Sequence, residues 1–190
     1  MSELEPIERK ELLRIARSTL REYLAIGIIP PGKPHRESLH QPAGAFVTLK
    51  TKGGDLRGCI GTFAADGPLY ATIQQMAVSS ATRDPRFPAV TEEEFEELEL
   101  EISVLSPREP LPSPDDVMVG THGLCITLGP HHGVLLPQVP VEHGWDRDTY
   151  LEHICLKAGL PPDAYQHEDA RLETFTAQVF SESDPEIQDL

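Results

Sequence analysis

Residues 44–62 read GAFVTLKTKGGDLRGCIGT, and this stretch decides the fold. Two β-prone runs flank Gly53-Gly54, a pair that suits the positive-φ positions of a tight turn. The stretch is therefore an antiparallel hairpin over 45–61. A second hairpin is expected at 124–140, where GLCITLG and GVLLPQV surround Pro130-His131-His132. Pro137 makes its outer strand an edge strand or a bulged one, because proline cannot donate to a ladder. Between the hairpins, ELELEISVL at 97–105 alternates Leu98, Leu100, Ile102 and Val104 with Glu99, Glu101 and Ser103, the pattern of a half-buried antiparallel strand.

Helices separate these strands. Leu12, Ile15, Ala16, Leu20, Tyr23 and Leu24 recur at three- and four-residue spacing behind Pro6 and before Gly27, which predicts an amphipathic helix over 6–26. Leu69, Ile73, Met76 and Ala77 predict a second over 68–81, and Asp146 caps a third carrying Tyr150, Leu151 and Ile154 over 146–158. Thr91 and Glu94 fit a capping box that opens a short acidic helix. IIPPGKPHRESLHQPAG, TRDPRFPAV and residues 106–121 are Pro- and Gly-rich loops. A last strand is expected over 172–180, with 181–190 frayed. Hairpins separated by single helices define an α+β fold of antiparallel sheets covered by helices. A doubly wound nucleotide-binding fold is disfavoured, and GPHHG at 129–133 is too short for a phosphate loop.

Composition narrows the function. With 31 acidic against 16 basic side chains the net charge is −15, and no Lys/Arg cluster in the sequence offsets the repulsion of a nucleic-acid backbone. No apolar run reaches the roughly 18 residues of a membrane span, and MSELEPIERKELLRIA is charged where a signal peptide is apolar, so a cytoplasmic protein is expected. Cys59, Cys125 and Cys155 are odd in number and widely spaced, which suits reduced thiols. Neighbouring His131 and His132 diverge on a turn with no third ligand at metal-binding spacing, so no metal and no cofactor are expected.

The candidate chemistry centres on LRGCIG. Strand alternation puts Arg57, Cys59 and Gly61 on one face, with arginine and thiol about 7 Å apart. A fixed positive charge there favours thiolate. The flanking glycines mark a close approach by a ligand or by another strand, so Cys59 is either a reactive thiol or a small packed hydrophobe. Asp84 and Arg86 in RDPRF either hold an anionic ligand or tie down their loop. His122 suits a general base, Glu101 faces either the same cleft or water, and Cys125 and Cys155 belong to the core.

In order along the chain, GAFVTLK, LRGCIGT, RDPRFPAV, EISVLSP, HGLCITLG, GVLLPQV, GW and KAGLP resemble the AMMECR-type domain family, whose bacterial and archaeal members are called AmmeMemoRadiSam system protein A. The resemblance implies that 1–190 is one such domain made of two interleaved α+β subdomains, with the hexapeptide near their junction. It also implies the company of Memo-like and radical SAM proteins. It supplies no reaction, because the family has no established activity. Its polar positions fall here on Arg57, Cys59, Asp84, Arg86, Glu101, His122 and Gln138. A cleft between the subdomains is expected, floored by Arg57 and Cys59 and walled by some of the others. AVSSATRDPRF departs from the family, with Ser79 and Ser80 where relatives usually carry alanine. Two functions fit: a thiol-dependent enzyme or enzyme subunit, or a non-catalytic adaptor in which Cys59 is structural.

Overall fold

A computed structural model of the chain describes residues 3–189; Met1, Ser2 and Leu190 lie outside the described residues. Helix α1 (Pro6–Ile26) starts where Pro6 supplies a preset φ, and the Glu8 carboxylate accepts the Glu5 N–H at 2.8 Å. It stops at Gly27, whose φ of 73° is open to glycine at no steric cost. Leu12, Leu13, Ala16 and Leu20 are buried along its inner stripe. Strands β1 (Ala45–Thr51) and β2 (Leu56–Thr62) form the first hairpin. Helix α2 (Leu69–Thr82), a single turn α3 (Glu92–Phe95) and strand β3 (Leu98–Leu105) follow. Next come β4 (Glu109–Pro110), β5 (Gly123–Leu128), β6 (His131–Leu135), α4 (Gln138–His143) and α5 (Arg147–Lys157). Strands β7 (Arg171–Phe175) and β8 (Ala177–Ser181) and a last turn α6 (Pro185–Gln188) complete the order.

The fold is α+β, about 37% helix and 25% strand, with two antiparallel four-stranded sheets. The chain divides into two compact units. The first runs as far as Leu105 and resumes at Gln178. Its sheet has the order β2-β1-β3-β8, and α1 and α2 pack on the face that carries Val47, Leu49, Leu100 and Ile102. The second unit, Ser106–Ala177, has the order β4-β7-β5-β6. There α5 packs on β5 and β6 and closes a core of Leu124, Ile126, Tyr150, Leu151, Ile154 and Cys155.

Three details differ from the reading of the sequence. The stretch 172–180 is two strands in different sheets, parted at Thr176, which is no turn signal. Strand β6 is an edge strand but ends at Leu135, and GVLLPQV runs on into α4, where Pro140 sits within the first turn that needs no intrahelical N–H. Residues expected to fray carry α6 instead, with Ile187 in the core of the first unit and the Glu182 carboxylate paired with Arg17. Thr91 caps α3 by accepting the Glu94 N–H at 3.2 Å, while the Glu94 side chain pairs with Arg57.

Candidate functional site

The register of the first sheet sets one row of residues across three strands: Cys59 on β2 faces Thr48 on β1, which faces Glu101 on β3. The row lies on the sheet surface opposite the one that carries Val47 and Leu49, by alternation along β1. Strand β2 is the edge of its sheet. The outward backbone groups of Cys59 are taken by the loop after α2: Asp84 Oδ2 accepts its N–H at 2.8 Å and Arg86 Nη2 donates to its carbonyl at 3.3 Å. An acceptor and a donor two residues apart thus replace the two backbone bonds of an absent neighbouring strand. Because those groups point outward, Cys59 and Thr48 form a non-hydrogen-bonded pair, where side chains approach closest. The Thr48 hydroxyl donates to Cys59 Sγ at 3.3 Å.

Asp84 is the centre of the clamp. Its carboxylate accepts from Arg86 Nε at 2.9 Å, Arg86 Nη2 at 2.6 Å and the Arg86 backbone N–H at 3.1 Å. The Arg86 guanidinium, with the two backbone N–H bonds, holds this buried carboxyl well below the usual carboxylate range, and the same pair raises Arg86. These bonds tie the loop to itself and to the edge of β2.

Both glycines of the hexapeptide answer to close neighbours. A Cβ at Gly58 would lie 2.3 Å from the Ser80 carbonyl of α2, and one at Gly61 would lie 2.1 Å from the Phe46 ring of β1. What approaches is thus a helix backbone on one face and an aromatic ring on the other. Ser80 is fully buried and joins helix to sheet. Its hydroxyl donates to the Val47 carbonyl at 2.6 Å and accepts the Ile60 N–H at 2.9 Å.

The electrostatics of Cys59 run opposite to the expectation for LRGCIG. Burial pushes the thiol up; the Thr48 hydroxyl and the Arg86 charge lower it, and Asp84 and Glu101 raise it further. The register slips between Leu49 and Lys50, so that Arg57 is an extra residue at a bulge. Its guanidinium turns to Glu94 on α3, with Nη2 at 3.0 Å from Oε2, and lies 5.8 Å from the Phe87 ring. Arg57 Nη1 is buried with no hydrogen-bond partner among the described residues.

Glu101 shares the sheet face with Cys59, two strands away, and is neutralised by Lys50 Nζ at 2.7 Å. The structure therefore groups Cys59, Arg57, Asp84, Arg86 and Glu101 around β2 of the first unit. His122 and Gln138 belong to the second unit. His122 Nδ1 accepts the Met118 N–H at 3.3 Å, and this ring nitrogen closes the local turn. Gln138 opens α4, and its Oε1 is buried without a partner among the described residues. Cys125 and Cys155 are core residues; burial pushes Cys125 up to about 11. No group of three or more metal-ligating side chains converges among the described residues.

Thr48, Glu94, Phe87 and Ser80 were not foreseen. Thr48 had a signal: a hairpin symmetric about Gly53-Gly54 pairs residue 48 with residue 59. The Arg57–Glu94 pair had none, since tertiary packing alone joins residues that far apart in sequence.

The described site defines an α+β protein whose edge-strand cysteine is clamped through its backbone by an Asp-Pro-Arg loop. Its family-model match is to AMMECR1, over residues 13–180. The chain is 43% identical to protein MK0488 of Methanopyrus kandleri, over 94% of this chain and 90% of that protein. It is 42% identical to protein MJ0810 of Methanocaldococcus jannaschii, over 91% and 89%. The crystal structure of the uncharacterized protein PH0010 from Pyrococcus horikoshii superposes with a TM-score of 0.87 at 42% identity, covering 93% of this chain and 92% of that one. The chain belongs to the AMMECR1 family.

Proposed function

We propose that this chain is a non-catalytic binding component that works in the cytosol beside Memo-like and radical SAM proteins. Family membership supports the company. The observation that carries the non-catalytic reading is the state of Cys59: burial raises its thiol against the smaller lowering by Thr48 and Arg86, and the Asp84–Arg86 clamp hydrogen-bonds its backbone, not its sulfur. A protonated thiol is a poor nucleophile at neutral pH. The site is then a rigid strand edge that presents polar groups to a partner. No helix among the described residues is long and apolar enough to cross a membrane.

A second reading, a thiol-dependent enzyme or enzyme subunit with Cys59 as nucleophile, is favoured by the unpartnered Arg57 Nη1, which an anionic ligand would satisfy. Alkylation separates the two. Iodoacetamide should modify Cys59 slowly at pH 7, with a rate that climbs past pH 9 and does not change in Arg57→Ala. An apparent thiol pKa below about 7, or a marked slowing in Arg57→Ala, overturns the non-catalytic reading.

A further inference from the structure

Helix α1 carries Ile7, Lys10, Glu11 and Arg14 at three- and four-residue spacing, so they share one surface of the helix. The connector after α1 lays His35 and Arg36 across it. Glu11 fixes that crossing: its buried carboxylate accepts the His35 N–H at 2.7 Å, lies 3.0 Å from His35 Nδ1 and 3.9 Å from Arg36 Nε. These six residues line a depression of about 550 Å³ within the first unit.

Its charge is the reverse of the chain's. Lys10, Arg14 and Arg36 set against Glu11 leave +3 − 1 = +2 with His35 neutral, in a protein of net charge −15. Lys10 and Arg14 have no ion-pair partner among the described residues, although carboxylates outnumber cations almost two to one in the sequence. Glu11 offsets only part of this charge: its carboxylate is shared between His35 and Arg36, and Lys10 and Arg14 are left without an ion-pair partner among the described residues. Three cations brought together with one carboxylate among them leave an excess positive charge, and a bound dianion relieves their repulsion.

We propose that this depression binds a soluble phosphorylated small molecule, with its phosphate held by Lys10, Arg14 and Arg36 and its organic part against Ile7. A net +2 matches a phosphate dianion, and guanidinium forks match its oxygens in pairs. The volume lies in the range of metabolite sites. Long polyanions are disfavoured, since the remaining surface repels them. This site is separate from the Cys59 cluster and does not depend on whether that cluster is catalytic.

The test is calorimetric titration of the full chain with inorganic pyrophosphate at low ionic strength. Wild type should bind at one site, and R14Q and R36Q should each weaken binding about five- to tenfold, while R171Q, an exposed control in the second unit, should leave it unchanged. An unchanged Tm without pyrophosphate shows that R14Q keeps the fold; if R36Q shifts Tm through its contact with Glu11, R14Q alone decides. No binding up to about 5 mM pyrophosphate, or equal weakening in R171Q, overturns the proposal. Sedimentation with phosphatidylserine vesicles that is lost in R14Q would assign the site to lipid headgroups and likewise overturn it.

Discussion

Asp84 holds two kinds of partner at once, the guanidinium of Arg86 and the backbone N–H of Cys59, and this double duty gives it a measurable signature. A buried carboxylate with four hydrogen bonds is stabilised in its charged form, so its folded pKa falls below its unfolded one. Such a group contributes stability that is complete above its unfolded pKa, near 4, and is lost as pH falls toward the folded value. Asp84→Asn should lower unfolding stability at pH 7 by about 2–3 kcal/mol, since it removes one partner of the pair while half-exposed Arg86 can turn to water. The same variant should flatten the fall in stability between about pH 5 and pH 3 seen in wild type. Urea unfolding at a series of pH values checks both. A D84N protein as acid-sensitive as wild type would mean that the clamp carries no linkage.

At the scale of elements, Gly58 and Gly61 are not equivalent although both flank Cys59. A methyl at Gly58 meets the Ser80 backbone carbonyl at 2.3 Å, and relief requires α2 to move off β2, with strain on the Ser80 hydrogen bonds beneath. A methyl at Gly61 meets the root of the Phe46 ring, and relief requires that half-buried side chain to swing to another χ1 rotamer, with no backbone of a second element in the way. Gly58→Ala should therefore cost about 3 kcal/mol and Gly61→Ala about 1–2, by denaturant unfolding, and the reverse order would refute this account of the glycines. The same elements show what is legible in sequence. Helices α1 and α2 and strands β1 and β3 carry their core apolar residues mainly on one side, which imposes periods of 3.6 or 2 on them, although Thr48 and Ser103 are buried on the other face of the sheet. Thr176 leaves no such mark: apolar residues continue on both sides of it, and only the pairing of β7 and β8 in separate sheets reveals the break. Asp84 and Arg86 are legible as a pair because they are two residues apart. That they grip Cys59 depends on where α2 delivers its loop, which no local pattern encodes.

For the whole molecule, the net charge of −15 decides how stability responds to salt. Diffuse repulsion among unpaired carboxylates acts over distances comparable to the Debye length, about 10 Å at 0.1 M, and is strongly screened. The ion pairs that tie elements together are not placed in the same way: Arg57–Glu94, Arg17–Glu182 and Arg86–Asp84 each keep at least one side chain largely out of water, where salt screens less. Screening should then remove more repulsion than attraction. Raising sodium chloride from about 20 mM to about 500 mM should increase Tm by roughly 3 °C, the shift that about 1 kcal/mol produces in a chain of this size. Chloride also enters the reckoning at the Lys10–Arg14–Arg36 depression, so the measurement is repeated on R14Q. There the rise should persist, because it comes from the net charge of the chain and not from one anion site. A Tm that falls with salt in both proteins would show that surface ion pairs, not net repulsion, dominate the electrostatics of this fold.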